Sequence, residues 1–179
     1  MSSPRRLVTI NDERGKSYAV AAGPSPDVYR DPARPGFTAT RMWVTVSTPA
    51  PIREVRETLH LPHTLEPPKR GSVLRILKFP PEAGYMRWIT ARQVRAFFDS
   101  MGSPGAYAGT QDPPHPYMQK TETLDMCLIL EGEITLILDT SHVDLKKGDT
   151  VIQRGTRHAW SNRSSKDCTI AISSHDAAV

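Results

Sequence analysis

Residues 148–162 read Gly148-Asp149-Thr150-Val151-Ile152-Gln153-Arg154-Gly155-Thr156-Arg157-His158-Ala159-Trp160-Ser161-Asn162. Two short apolar runs alternate here with turn signals: a turn at Lys146–Asp149, a strand over Thr150–Gln153, a turn at Gly155–Arg157, a strand at His158–Trp160 and a turn at Asn162–Ser165. The same rhythm continues upstream. Met126–Leu130 is an almost continuous apolar run, as expected of a strand buried on both faces or lining a cavity. Glu131-Gly132-Glu133 interrupts it, Ile134–Leu138 resumes, and His142–Leu145 alternates. Downstream, Cys168–Ser173 completes the set. Six or so short strands with regular turns predict a small barrel or sandwich.

The rest of the chain divides into two zones. In residues 1–82, Leu7–Ile10 and Ser17–Ala21 flank a turn and predict a hairpin. Phe37–Ser47 and Val73–Phe79 predict strands from their β-branched and aromatic residues. Gly23–Pro26 and Asp31–Gly36 are punctuation, and the proline-rich stretch 48–71 is mostly loop. Residues 83–114 hold one helix, Ala91–Met101. Thr90 and Gln93 form a capping box, Val94, Phe97, Phe98 and Met101 make one apolar stripe that docks on the domain, and Gly102 suits the position after the helix. Gly102–Pro116 reads as a flexible loop, either a lid or plain surface.

Composition narrows the function classes. Proline is 16 of 179 residues, nearly twice the usual share of about 5%, which disfavours a helical bundle. The net charge of +4 is spread over Arg/Lys pairs rather than a block, and no nucleic-acid-binding motif accompanies it. No apolar run is long enough for a membrane span. No apolar stretch follows Arg5-Arg6, so no secretory signal is expected. Cys127 and Cys168 form no Cys-x-x-Cys pair and read as buried reduced thiols. The expected location is cytoplasmic.

The stretch 148–162 resembles the second conserved motif of cupins: Gly-Asp, a short strand, then Pro-x-Gly-x-x-His-x-x-x-Asn. Asp125 through Leu130-Glu131-Gly132-Glu133 resembles the end of the first cupin motif, which runs His-x-His, a short spacer, Glu, six residues, Gly. The likeness spans roughly residues 115–173. The stretches from Pro35 to Thr45 and from Val73 to Glu82 look like the leader of many small one-domain cupins. The resemblance implies an all-β cupin jelly-roll barrel. Its core would occupy 115–179, with the strands of 1–82 as an extension packed on it and one short helix in 83–114. It also implies a homodimer, and a small-molecule site at the barrel mouth. Many cupins hold a divalent metal there with three His and one Glu.

The metal pattern is depleted in this chain. Asp125 stands at the Glu position, and Gln119 and Thr121 replace the His-x-His pair (Met118 and Lys120 with the longer spacer). Gln153 replaces the motif-2 proline, the spacer before it is one residue short, and His158 alone survives as a standard ligand. A catalytic metal wants three or four converging donors. Any metal here would be held by His158, Asp125 and Gln119. The expectation is therefore an enzyme without a cofactor, of lyase or isomerase type. It would act by acid/base decarboxylation, dehydration or isomerisation on a small organic metabolite of aromatic or polyketide type, in secondary metabolism. Asp125 and His158 would transfer protons, the carboxylate orienting the ring and keeping it protonated longer. Asp125 also demands compensation within an apolar run.

Gln119 and Thr121 would orient the substrate, with His115 able to swing in from its loop. Tyr117, Trp160 and Trp43 would form an aromatic wall, Trp160 serving equally well as barrel core. Arg75 or Lys78, whichever faces inward, would bind a substrate carboxylate. His142 and His175 read as surface residues, and His60 and His63 as loop residues rather than a metal pair. The alternatives are a metal-dependent cupin oxygenase and a non-catalytic ligand-binding cupin.

Overall fold

The computed structural model describes residues 4–53 and 57–178. Met1–Ser3, which open the N-terminal zone, residues 54–56 of the proline-rich stretch and Val179 lie outside the described residues. Eleven strands and one α-helix follow in the order β1 (Arg5–Asn11), β2 (Ser17–Pro24), β3 (Val28–Arg30), β4 (Thr38–Thr45), β5 (Ser72–Phe79), α1 (Ala91–Ser100), β6 (Thr123–Glu131), β7 (Glu133–Leu138), β8 (His142–Lys146), β9 (Thr150–Arg154), β10 (His158–Ser161) and β11 (Cys168–Asp176). Each expected strand is present within a few residues of its expected ends, and β3 is an addition. Three short 3₁₀ turns sit around the helix.

A six-stranded antiparallel sheet in the order β3-β4-β5-β11-β6-β9 faces a three-stranded sheet, β10-β7-β8. One apolar cluster joins the layers: Phe79, Ile129 and Ile170 come from the large sheet, Ile134, Leu136 and Trp160 from the small one. This is the jelly-roll arrangement of a cupin, with the sheets left open rather than closed into a barrel. β4 and β5 pair within the same sheet as β11 and β6. The β1–β2 hairpin forms a sheet of its own.

The strands bury faces according to what covers them. In β6, Thr123, Asp125, Cys127 and Ile129 point inward, while Met126, Leu128 and Leu130 are exposed on the outer face. Of the two expected alternatives, β6 lines the interior, and two-sided burial is not its property, because strand side chains alternate and no described layer covers the outer side. Two-sided burial belongs to β7 and β10, whose far face is covered by Met118 packing on Ile137 and Ala159.

The helix keeps its capping box, with Thr90 and Gln93 exchanging hydrogen bonds. Val94, Phe97 and Phe98 are buried along its inner stripe, and Met101 caps the helix beside them. Phe97 meets Phe37, Phe98 and Tyr117 edge-on at 5.8, 5.1 and 5.6 Å, a geometry that favours aromatic rings. Gly102 follows at φ 64°, where a Cβ would stand 2.3 Å from the His63 carbonyl oxygen. Only glycine lets the loop 58–66 approach this closely. Ser103 accepts from the Leu65 amide at 2.8 Å, which seats Leu65 over the interior.

Candidate functional site

Between the sheets lies a cavity of about 70 Å³, room for a few water-sized groups. β5 contributes Arg75, Leu77 and Phe79, and β6 contributes Asp125 and Cys127. β10 contributes His158 and Trp160. The segment after the loop contributes Tyr117, Gln119 and Thr121, and Phe97, Phe37 and Arg34 close the aromatic end. Seven expected site residues thus meet in one cavity: Asp125, His158, Gln119, Thr121, Tyr117, Trp160 and Arg75.

His158 is held through its ring and its backbone. Gln119 and His158 exchange backbone hydrogen bonds at 2.8 and 2.9 Å, so residues around 119 pair onto β10 like an extra strand. The ring Nδ1 lies 3.0 Å from the Thr156 carbonyl oxygen. A carbonyl only accepts, so Nδ1 carries the hydrogen, and in the neutral ring Nε2 is bare. Nε2 accepts from the Gln119 side-chain amide at 3.1 Å. Burial pushes the imidazole pKa below its ordinary 6.5, outweighing the Thr156 carbonyl and the charge of Asp125, both of which push it up. The expectation that Asp125 keeps the ring protonated is corrected: desolvation of the cation is the larger effect, and the ring is neutral at pH 7. No hydrogen bond joins Asp125 to His158. Asp125 Oδ1 is buried without a protein partner among the described residues.

Gln119 is thus committed to His158, and the Thr121 hydroxyl to Thr123 at 2.7 Å. Tyr117 donates to Asp31 Oδ2 at 3.2 Å, and burial raises its phenol pKa. Trp160 packs edge-on against His158 at 6.0 Å, its indole Nε1 lacking a protein partner. It is both barrel core and cavity wall. Cys127 and Cys168 are free, buried thiols that burial pushes up to about 12.

The Arg75/Lys78 alternative resolves in favour of Arg75. Lys78 sits on the outer face of β5 and pairs with Asp167 at 3.2 Å. Burial and the neighbouring Arg41 draw the Arg75 guanidinium down to about 10, still cationic at neutral pH. Trp43 does not line the cavity. A register shift between Arg41 and Trp43 sets Trp43 opposite the outward-facing Leu74. His115 also lies outside it. Its Nδ1 accepts from the Tyr117 amide at 3.1 Å, and its Nε2 stands 3.6 Å from Glu82, pinning the expected loop instead of swinging in. His63 pairs with Asp27 at 3.2 Å, and His60 and His142 are exposed.

Arg34 is the residue that sequence reasoning missed. It looked like turn punctuation between prolines. Its Nε donates to Asp31 Oδ2 at 2.7 Å, and its guanidinium carbon stacks 3.8, 3.9 and 4.3 Å from the ring centres of Phe37, Tyr117 and Phe97. The Asp31-x-x-Arg34 spacing ahead of an aromatic residue was its only local signal.

The fold family implies a metal in many members, so the donors need weighing. Among the described residues no three His, Cys, Asp or Glu side chains cluster. Asp125 and His158 are two good donors, Gln119 adds a weak neutral amide, and the cationic Arg75 shares the cavity. Such a set falls short of a resident divalent ion's needs.

A family model described as the cupin domain matches residues 105–174. This segment is a cupin domain. The chain is 50% identical over 48 residues to phomopsin biosynthesis cluster protein C' of Diaporthe leptostromiformis, covering 26% of this chain and 25% of the relative. It is 40% identical over 50 residues to oryzines biosynthesis cluster protein J of Aspergillus oryzae, covering 27% and 28%. The matched part thus spans about a quarter of the length of these curated relatives. Among solved structures, a cupin 2 conserved barrel domain protein from Salinispora arenicola is 12% identical. That match covers 83% of this chain and 81% of that one, with a TM-score of 0.42. The cupin segment carries His158, Asp125, Gln119 and Trp160, whereas Arg34 and Arg75 come from outside it.

Proposed function

We propose that this cupin is a small enzyme that moves a proton on an organic metabolite inside the cavity, without a resident metal, in a decarboxylation, dehydration or isomerisation. The observation that carries the reading is the free oxygen of Asp125 beside a neutral, oriented His158 in a water-poor, apolar-walled space. A buried carboxylate with an uncommitted oxygen suits proton abstraction, and a neutral imidazole suits proton relay near pH 7. In this scheme Asp125 takes the proton from the substrate's C–H or O–H. The Nε2 of His158 becomes an acceptor when the Gln119 amide turns to the substrate. Gln119 and the Thr156 carbonyl hold the ring's tautomer and are positioning groups. Support for secondary metabolism comes from the relatives, both named as proteins of biosynthesis clusters.

The test is complementation of a producing strain lacking this gene. Wild-type protein restores product, whereas Asp125→Asn and His158→Gln lower it by about 10²-fold or more, with the precursor accumulating. Undiminished product from folded Asp125→Asn protein would refute the acid/base role. Stoichiometric iron or manganese lost on His158→Gln substitution would replace it with metal chemistry.

A further inference from the structure

Four polar groups in the cavity wall are built but not satisfied. Arg75 is 3% exposed, and its Nε has no protein partner among the described residues. Its Nη2 donates to the Thr64 carbonyl oxygen, and no described carboxylate stands within ion-pair distance. Asp125 is 8% exposed and keeps Oδ1 free, again with no cation in contact. Arg34 is 4% exposed; its charge is met by Asp31, but Nη2 is left over. Trp160 Nε1 is the fourth. Buried polar groups in native folds are nearly always paired, and an uncompensated buried charge is among the costliest features a fold can keep. These four share one cavity, so their complement has one shape.

The sheet register orders them. On the inner face of the large sheet, Arg75 lies in the row of Ile172 and Cys127, and Asp125 lies in the adjacent row beside Ser174. Phe79 lies four residues further along β5, roughly 13 Å at about 3.3 Å per residue, and packs on Phe37, over which Arg34 is stacked. The cavity therefore has a charged end, with one free cation and one free acceptor, and an aromatic end with a neutralised arginine pair. Leu77 lies between them, in the row of Ile170 and Ile129.

We infer that the ligand of this cavity is a small carboxylic acid of a few heavy atoms that also carries a hydroxyl or amine close to the carboxylate, with a short apolar part, as the volume of about 70 Å³ requires. The carboxylate pairs with Arg75, and the hydroxyl or amine donates to Asp125. The apolar part faces Leu77 and the aromatic end of the cavity. Such a ligand satisfies both charges at once. A neutral hydrocarbon satisfies neither, and a simple acid leaves Asp125 unpaired. The inference rests on the cavity being the functional site, and it adds the substrate class to that reading.

The test measures binding rather than turnover, by calorimetry and thermal shift on the full chain. The probes are glycolate, lactate and 2-hydroxybutyrate, each set against its neutral amide and against the matching acid without the hydroxyl. At least one hydroxy acid should bind tenfold or more tightly than its amide and than its deoxy counterpart. Arg75→Met should abolish the preference over the amide, and Arg75→Lys should keep part of it. Asp125→Ala, which removes the acceptor altogether, should abolish the preference over the deoxy acid while sparing the first preference. If no hydroxy acid binds, if acid and amide bind alike, or if either preference survives its substitution, the inference is overturned. Because binding alone is read, that result leaves the proton-transfer role standing. A selective binder whose Asp125→Asn form still restores product would overturn that role and leave the ligand class intact.

Discussion

Arg41 on β4 and Arg75 on β5 are cross-strand partners, each 3% exposed, yet the two sites are built differently. Arg41 is saturated. Its Nε meets Asp27, and its two Nη groups donate to the carbonyl oxygens of Leu59, Leu61 and Pro62 at 2.8, 2.6 and 2.8 Å. It staples the loop 58–66 to the sheet. Arg75 reaches that loop only through the Thr64 carbonyl and is otherwise without a protein partner, on the cavity wall. Two cations opposite each other on a sheet repel, so the fold carries a cost that only one of the two sites offsets internally. Arg41 serves the structure, and Arg75 is kept for something that arrives.

The largest effect should come from breaking the saturated side. Arg41→Met leaves Asp27 with His63 alone and three loop carbonyls unpartnered, and should cost about 3–5 kcal/mol in urea unfolding. A loss under about 1 kcal/mol would show that the staple contributes little. Arg75→Met should do much less. Removing a buried charge that hydrogen-bonds only Thr64, and that Asp125, Glu66 and Asp27 attract from beyond ion-pair distance, should change stability by no more than about 1 kcal/mol, while acid binding is lost. Equal destabilisation by both substitutions would erase the contrast.

The finest distinction is a pH slope. Burial holds the imidazoles of His158 in the cavity and His63 beside Asp27 below 6.5 in the folded chain. Below about pH 6.5 the unfolded chain therefore binds more protons than the folded one, so stability falls as the pH is lowered. His158→Gln and His63→Gln should each flatten that fall, measured as urea midpoints from about pH 7 to 5. Flattening by His63→Gln alone would place the acid sensitivity on the Arg41 side. An unchanged profile in both variants would show that neither ring is linked to folding.

Much of this was legible in the chain. The turn-bounded strands of 123–176 and the capped helix after Thr90 are local matters, set by periodicity and turn chemistry. Cupin-like spacing brought Gln119 and His158 to one site, but that Gln119 bonds His158 rather than a substrate was not in the sequence. Trp43 was misjudged because a one-residue register shift turns a side chain to the other face, and nothing in residues 41–43 announces the shift. His115 was misjudged because its partner, Glu82, lies far away in sequence. Arg34 was missed because a buried ion pair between prolines looks like any turn.

By itself, the order of residues determined which segments became strands, where the helix begins, and that a carboxyl group and an imidazole would share an interior. Only the tertiary structure decided that the imidazole is neutral, that the two groups do not touch, and which of two buried arginines is left unsatisfied. The reason is physical. Strand phase and capping depend on neighbours within a few residues, whereas desolvation and hydrogen-bond satisfaction depend on everything that packs around a group, most of it contributed by distant parts of the chain.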